Sequence, residues 1–241
     1  MISRAKLGVA WAALGLAAVA LLAAAPPNAI AADAAHPTVV ELFQSQGCSS
    51  CPPANANVMA LGGRADVLAL SFAVDYWDRL GWKDTFSKPA WTARQYAYAR
   101  AMGRDSVYTP QVVINGRVAG DGLEPESLAG LMREGDRGVG GPEVRFAADA
   151  VSVGAGAAPA GGADVWLARY DPRVVEVAVK RGENGGRTLL HKDVVHEMIL
   201  VGHWRGPAET LPLPAGAEGR LADAVIVQSV GAGPILAAAK R

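Results

Sequence analysis

Two cysteines between two apolar runs constrain the fold of this chain most strongly. The runs TVVELF at 38–43 and VLALSFAV at 67–74 have the β-branched and apolar character of strands, and the second is typical of a strand buried on both faces of a parallel sheet. Between them, Cys48-Ser-Ser-Cys51 leads into two prolines and a short helical segment. The sequence therefore predicts a β-α-β unit with both cysteines at its first turn.

Further elements complete a predicted α/β domain over 37–137. They are a helix over 88–102, a strand over 110–114, a hairpin turn at Asn115-Gly116 and a helix within 124–135. The order of the elements is thus β-α-β, α, β-β-α.

The second part of the chain has a different pattern, with period-two alternation between turn clusters. We predict an antiparallel β domain over 142–241, with the two packed sheets of a sandwich. The segment ENGG at 183–186 and the histidines at 191, 196 and 203 are interpreted as a plain loop and as exposed strand positions. The candidate strands are 144–148, 151–153, 165–170, 174–180, 187–191, 194–202, 224–230 and 235–239.

The first 31 residues are predicted to be a signal peptide. Arg4 and Lys6 precede a long apolar run, and small residues follow it up to Ala31. An uncleaved membrane anchor is the alternative, because the run is near the minimum length for a span. We expect cleavage, export to the periplasm or the medium, and no stable membrane association afterwards.

Charge and compartment restrict the partners. Without Arg4 and Lys6 the chain has 21 basic and 23 acidic residues, a formal charge of −2. This balance argues against a nucleic-acid partner. Exported compartments are oxidising, so the two cysteines are expected to be disulfide-bonded or cycling.

Three roles are open to the cysteine pair. A structural staple is a poor explanation, because the loop between the cysteines is short and the entropic gain grows with loop length. A zinc site would have only two of its four ligands, and no other cofactor motif is present. A redox centre requires only these two thiols, so we expect no metal and no cofactor.

The helix that follows the cysteines predicts different roles for them. A helix N-terminus offers free backbone N–H groups and the positive end of the dipole, which favour a thiolate. Cys48 is therefore predicted to be the exposed nucleophile with a lowered pKa, and Cys51 the inward-facing thiol that resolves a mixed disulfide. Pro52 and Pro53 suit the first helical turn and fix where the helix begins.

Four motifs resemble the DUF1223 family of secreted proteins: VVELFQSQGCSSCPPAN, VDYWDRLGWKD, YTPQVVING and GRTLLHKDVV. The resemblance implies a thioredoxin-like fold for the first domain. The wider superfamily implies a cis peptide bond at Thr109-Pro110, whose backbone would guide the partner chain; a trans proline at the start of an edge strand is the alternative. It also implies a buried acid, here Glu41, as proton acceptor for Cys51; a carboxylate on a solvated face is the alternative.

Asp75 and Trp77 follow the second strand, where crevices open at the carboxyl ends of strands. They are predicted to line a substrate groove, or else to belong to an aromatic plug on the core. The leading hypothesis is an exported thiol-disulfide oxidoreductase whose substrate is a protein or a small thiol or disulfide. The alternative is a thioredoxin-like binding module for copper(I) or for a protein partner.

Overall fold

The computed structural model describes residues 32–216 and 221–241, so the predicted signal peptide lies outside the described residues. No helix within these ranges has the length and the apolar character needed to cross a membrane. The first elements are β1 (Thr38–Gln44), α1 (Cys51–Leu61), β2 (Val67–Ala73), a 3₁₀ helix (Asp78–Leu80), α2 (Pro89–Ala101), β3 (Gln111–Ile114), β4 (Val118–Gly120) and α3 (Pro125–Glu134).

The predicted β-α-β unit is confirmed. Strands β1 and β2 run parallel, and β3 pairs antiparallel with β1 on its other side. Alternate side chains of β1 face opposite layers: Val40 and Leu42 pack with α1 and α3, whereas Val39 and Phe43 pack with α2. Helices therefore cover both faces of this part of the sheet, with α1 and α2 on opposite faces.

The second half of the chain is built from strands, as predicted, and the strand ends differ from the predicted ones by at most two residues. One further short strand was not predicted, because its ETLP sequence is brief and contains a proline. The strands are β5 (Val144–Phe146), β6 (Ala150–Val153), β7 (Ala163–Asp171), β8 (Val175–Ala178), β9 (Thr188–His191), β10 (Val194–Trp204), β11 (Glu209–Pro212), β12 (Ala222–Ser229) and β13 (Ile235–Lys240).

A single eight-stranded sheet runs through both halves, in the order β13-β12-β7-β10-β2-β1-β3-β4. Strand β10 joins β2 in parallel, with Val194 opposite Ser71. The protein is thus a mixed α/β structure with one large sheet and three α-helices among its described residues. The division into domains over 37–137 and 142–241 stays a prediction.

Two smaller sheets complete the second half. The three-stranded sheet β11-β6-β5 packs its Val151 and Val153 against Leu167 and Val225 of the large sheet, which gives this region a sandwich-like core. The hairpin β8–β9 forms a separate two-stranded sheet. Its loop, residues 181–187, extends to the cysteine turn described below and is called the cover loop.

Candidate functional site

Cys48 and Cys51 form a disulfide at the start of α1. Cys51 is the first residue of the helix, and its backbone N–H donates to the Cys48 carbonyl over 3.2 Å. Pro52 and Pro53 follow in the first turn, as predicted. We call residues 45–51 the cysteine turn.

The prediction that Cys48 is exposed is wrong, because both cysteines are buried, with 0% and 1% of their surface exposed. The cover loop lies on the cysteine turn. The Asn184 amide donates to the carbonyls of Gln46 and Cys48 at 3.0 and 2.9 Å, and Glu183 accepts a 3.0 Å hydrogen bond from the Ser49 N–H. The segment ENGG, interpreted from sequence as a plain loop, therefore contributes directly to the site.

The sequence predicts free backbone N–H groups at the start of α1, but the structure does not show them there. Pro52 and Pro53 have no N–H, and the N–H groups of Ser49 and Cys51 already donate to Glu183 and to the Cys48 carbonyl. The Ser50 hydroxyl instead lies 3.4 Å from the Cys48 sulfur. A hydroxyl hydrogen bond can therefore stabilise a Cys48 thiolate alongside the helix dipole.

Glu41 is buried, but the structure does not bring it to Cys51. Its side chain faces the α2 side of the sheet, and α1 packs on the other side. Arg94 Nε donates to one carboxylate oxygen over 2.7 Å, and the Tyr98 hydroxyl donates to the other. Burial raises the pKa of Tyr98 well above its usual value, so this hydroxyl keeps its proton. Glu41 thus belongs to a buried ion pair.

Trp77 and Thr109 are brought to the cysteine turn. The Thr109-Pro110 peptide is cis, as predicted. Trp77 Nε1 donates to the Thr109 hydroxyl over 2.8 Å, and a Cβ at Gly47 would lie 3.3 Å from Trp77 Cβ. The indole therefore packs between the cysteine turn and the Thr109-Pro110 turn.

Asp75 is held by α2. The Thr92 hydroxyl donates to its carboxylate over 2.6 Å and accepts from its backbone N–H over 3.1 Å. These hydrogen bonds anchor the segment after β2 to the helix. Of the two residues predicted to line a groove, Trp77 contacts the cysteine turn, whereas Asp75 is bonded to α2.

Asp84 is a buried acid at the site that sequence reasoning missed. Its carboxylate accepts hydrogen bonds from the backbone N–H groups of Gln46 and Phe86 over 2.7 and 2.8 Å. Burial raises its pKa to about 6. No sequence signal distinguished Asp84 from Asp75 or Asp78 in the same aromatic segment, because its burial follows from tertiary packing.

A cavity of about 450 Å³ opens beside Cys51, between α1 and β9. His191, predicted to be exposed, lies in its wall and is 1% exposed, so that prediction is wrong. Burial lowers the pKa of His191 to about 4, so the ring is neutral at pH 7. The lining residues are Gln44, Ser45, Cys51, Pro52, Asn55, Ala56, Met59, Ala60, Arg187, Thr188, Leu189, Leu190 and His191.

Metal ligands are sparse around these residues. Across 32–216 and 221–241, no group of three or more His, Cys, Asp and Glu side chains is placed to hold a metal ion.

Comparison with known proteins places the chain in a family. Residues 39–228 match the family described as "Protein of unknown function (DUF1223)". The crystal structure of protein AGR_C_4864 from Agrobacterium tumefaciens is similar, with 36% identity and a TM-score of 0.70 over 84% of this chain and 92% of that one. HBP35 of Porphyromonas gingivalis shares the fold at 13% identity and a TM-score of 0.60, over 86% of this chain and 74% of that one. No curated protein matches. The chain therefore belongs to the DUF1223 family.

Proposed function

We propose that this protein is an exported thiol-disulfide oxidoreductase that cycles Cys48 and Cys51 between a disulfide and a dithiol. The observation that carries the proposal is the disulfide at the start of α1 with the Ser50 hydroxyl at the Cys48 sulfur. When a thiolate opens the disulfide at Cys51, Cys48 leaves as a thiolate, and a hydrogen bond to that thiolate speeds its departure.

The surrounding elements support a thioredoxin-like assignment for the first half. A strand leads into the cysteines, the following helix begins at Cys51, and a cis-proline precedes β3, which pairs with the strand before the cysteines. Export is supported by the sequence of residues 1–31.

Redox titration tests the proposal. The full chain is equilibrated with glutathione or dithiothreitol buffers, and the dithiol fraction is counted by mass spectrometry after alkylation. We expect a reversible two-electron transition; a potential near about −270 mV would indicate a reductant, and one near about −120 mV an oxidant. A disulfide that can be reduced only after unfolding would contradict the proposal.

The variant Ser50→Ala tests whether the Ser50 hydroxyl lowers the pKa of Cys48. Loss of one hydrogen bond to a thiolate is worth about 1 kcal/mol, so the pKa of Cys48 in the reduced protein should rise by roughly 0.5–1 unit. Alkylation rates of the reduced variant across pH measure this shift. Ser49→Ala is the matched control, since Ser49 contacts Glu183 through its backbone N–H and its side chain, whereas the hydroxyl at the Cys48 sulfur is that of Ser50.

Copper(I) titration of the reduced protein separates this function from that of a binding module. Tight one-to-one binding, together with no exchange of thiols in the redox titration, would favour the binding module.

A further inference from the structure

Two residues in the wall of the cavity beside Cys51 have buried hydrogen-bonding atoms without partners. His191 is buried, and neither of its ring nitrogens has a hydrogen-bond partner among the described residues. Asn55 is 7% exposed, and its carbonyl oxygen is likewise unpartnered, whereas its amide nitrogen donates to the Leu190 carbonyl. Buried polar groups are normally satisfied, so the cavity wall keeps both donor and acceptor capacity beside the space that a ligand would occupy.

The charge and the apolar surface of the cavity narrow the ligand class. Arg187 is the single charged side chain among the described residues that line it, and no carboxylate opposes it there. Met59, Leu189 and Leu190 supply apolar wall. A ligand with a carboxylate for Arg187, an N–H for Asn55 and a short apolar stem fits this lining.

Access to the two cysteines differs. Cys51 lines the cavity and Cys48 does not. The cover loop instead closes over Cys48, where Asn184 holds its carbonyl. A molecule in the cavity therefore meets Cys51 first, whereas a protein disulfide would have to displace the cover loop to reach Cys48.

We propose that the cavity binds a low-molecular-weight thiol or disulfide that carries an amide N–H and a carboxylate, and that this substrate exchanges first with Cys51. This inference rests on the proposed function and names its substrate class. It reverses the roles predicted from sequence, because Cys51 becomes the thiol that meets the substrate and Cys48 the resolving thiol.

The exchange balances in two steps. A substrate thiolate RS⁻ forms a bond to the Cys51 sulfur, the disulfide breaks, and Cys48 leaves as a thiolate beside the Ser50 hydroxyl. A second RS⁻ then attacks the substrate sulfur of the mixed disulfide, which releases RSSR and the Cys51 thiolate. Two thiols are oxidised and the protein disulfide is reduced.

Reduction kinetics test the assignment. The oxidised full chain is mixed with glutathione, which has amide and carboxylate groups, or with 2-mercaptoethanol, which has neither, and rates are compared per thiolate. Asn55→Ala and Arg187→Gln should each slow glutathione by roughly five- to tenfold, the loss expected for one hydrogen bond or charge contact, and leave 2-mercaptoethanol within about twofold.

Asn57→Ala is the matched control. Asn57 lies on the same helix, is absent from the cavity lining and donates to the carbonyls of Gly122 and Leu123. It should leave the preference between the two thiols unchanged. Since Arg187 is exposed, Arg187→Gln tests the proposal even if Asn55→Ala fails to fold. Arg187 also donates to Asn184 Oδ1 over 2.7 Å, so the 2-mercaptoethanol rate of this variant reports any loosening of the cover loop.

Single-cysteine variants test the order of attack. Cys48→Ser, which keeps Cys51, should take up glutathione from glutathione disulfide faster than Cys51→Ser does, as measured by intact mass. Faster uptake by Cys51→Ser, or an equal slowing of both thiols by the cavity variants, would overturn the inference. Wild-type protein that exchanges with 2-mercaptoethanol yet shows no such differences refutes the substrate class alone. Protein that exchanges with neither thiol refutes the proposed function.

Discussion

Among single residues, Glu41 shows that the partners of a buried acid determine its role. Glu41 is fully buried, as one reading of the sequence predicts, yet its partners are Arg94 and Tyr98 on the far face of the sheet. Removal of one partner from such a buried ion pair leaves the other charge buried without compensation, which destabilises the folded protein. Its effect on the protein should therefore be on stability and not on thiol exchange.

Glu41→Gln should lower the free energy of unfolding by roughly 3–5 kcal/mol, because Arg94 is left buried without its counter-charge. Urea denaturation measures this loss. The double variant Glu41→Leu with Arg94→Met should recover most of it, since an apolar pair avoids burying charge. The pH profile of thiol exchange should stay as in the wild type; a shifted profile would restore Glu41 as a proton acceptor.

Asp84 predicts a pH dependence with a definite sign. Its folded-state pKa of about 6 lies above the ordinary 3.8, so its contribution is fully present below about pH 4 and is lost as the pH rises through 6. The loss amounts to roughly 2–3 kcal/mol. Asp84→Asn removes this titration, although it also loses one backbone hydrogen bond at every pH.

The destabilisation caused by Asp84→Asn should therefore be largest near pH 4 and smaller at pH 7. Urea denaturation of both proteins at several pH values measures the difference. A constant difference across this range would mean that the carboxyl is not destabilised by burial.

Among the elements, the β3–β4 hairpin is one that sequence describes well. Asn115-Gly116 predicted the turn, and both residues have positive φ, 48° and 64°. The Asn115 side chain also makes two hydrogen bonds that the Asn-Gly turn signal does not predict. It accepts one from the Val39 N–H over 2.8 Å and donates one to the Gly135 carbonyl over 3.0 Å. This turn therefore connects β1, β3 and α3.

Asn115→Ala should cost roughly 2–4 kcal/mol of unfolding free energy, from two lost buried hydrogen bonds and an unfavourable φ. Asn115→Gly keeps the backbone conformation and loses only the side chain, so it should be less destabilising by about 1 kcal/mol. Thermal denaturation of the two variants measures both terms. Equal losses would assign the whole effect to the hydrogen bonds.

The features that could be predicted from the sequence depend on residues close together in the chain, and the features that were missed depend on residues far apart. The β-α-β unit, the prolines of α1 and the Asn115-Gly116 turn follow from local periodicity and local turn chemistry. The cover loop over Cys48, the burial of His191 and the joining of β10 to β2 depend on residues more than a hundred positions apart. The periodicity of apolar residues does not indicate which distant segments pair, so these features could be seen only in the structure.

At the scale of the whole molecule, the continuous sheet predicts cooperative unfolding. Strand β10 from the second half borders β2, and Gln228 of β12 hydrogen-bonds to Arg94 and Tyr98 in α2. Separation of the halves would break these contacts and expose an edge of β2. Differential scanning calorimetry should give one transition with equal calorimetric and van't Hoff enthalpies. Two resolved transitions would instead support the division into domains predicted from sequence.

The cover loop also has a consequence for the order of synthesis. Asn184, which holds the Cys48 carbonyl, follows that cysteine by 136 residues. A chain made from its N-terminus presents both thiols long before the hairpin that covers them exists. The two thiols thus remain uncovered for an interval that ends when the second half of the chain docks.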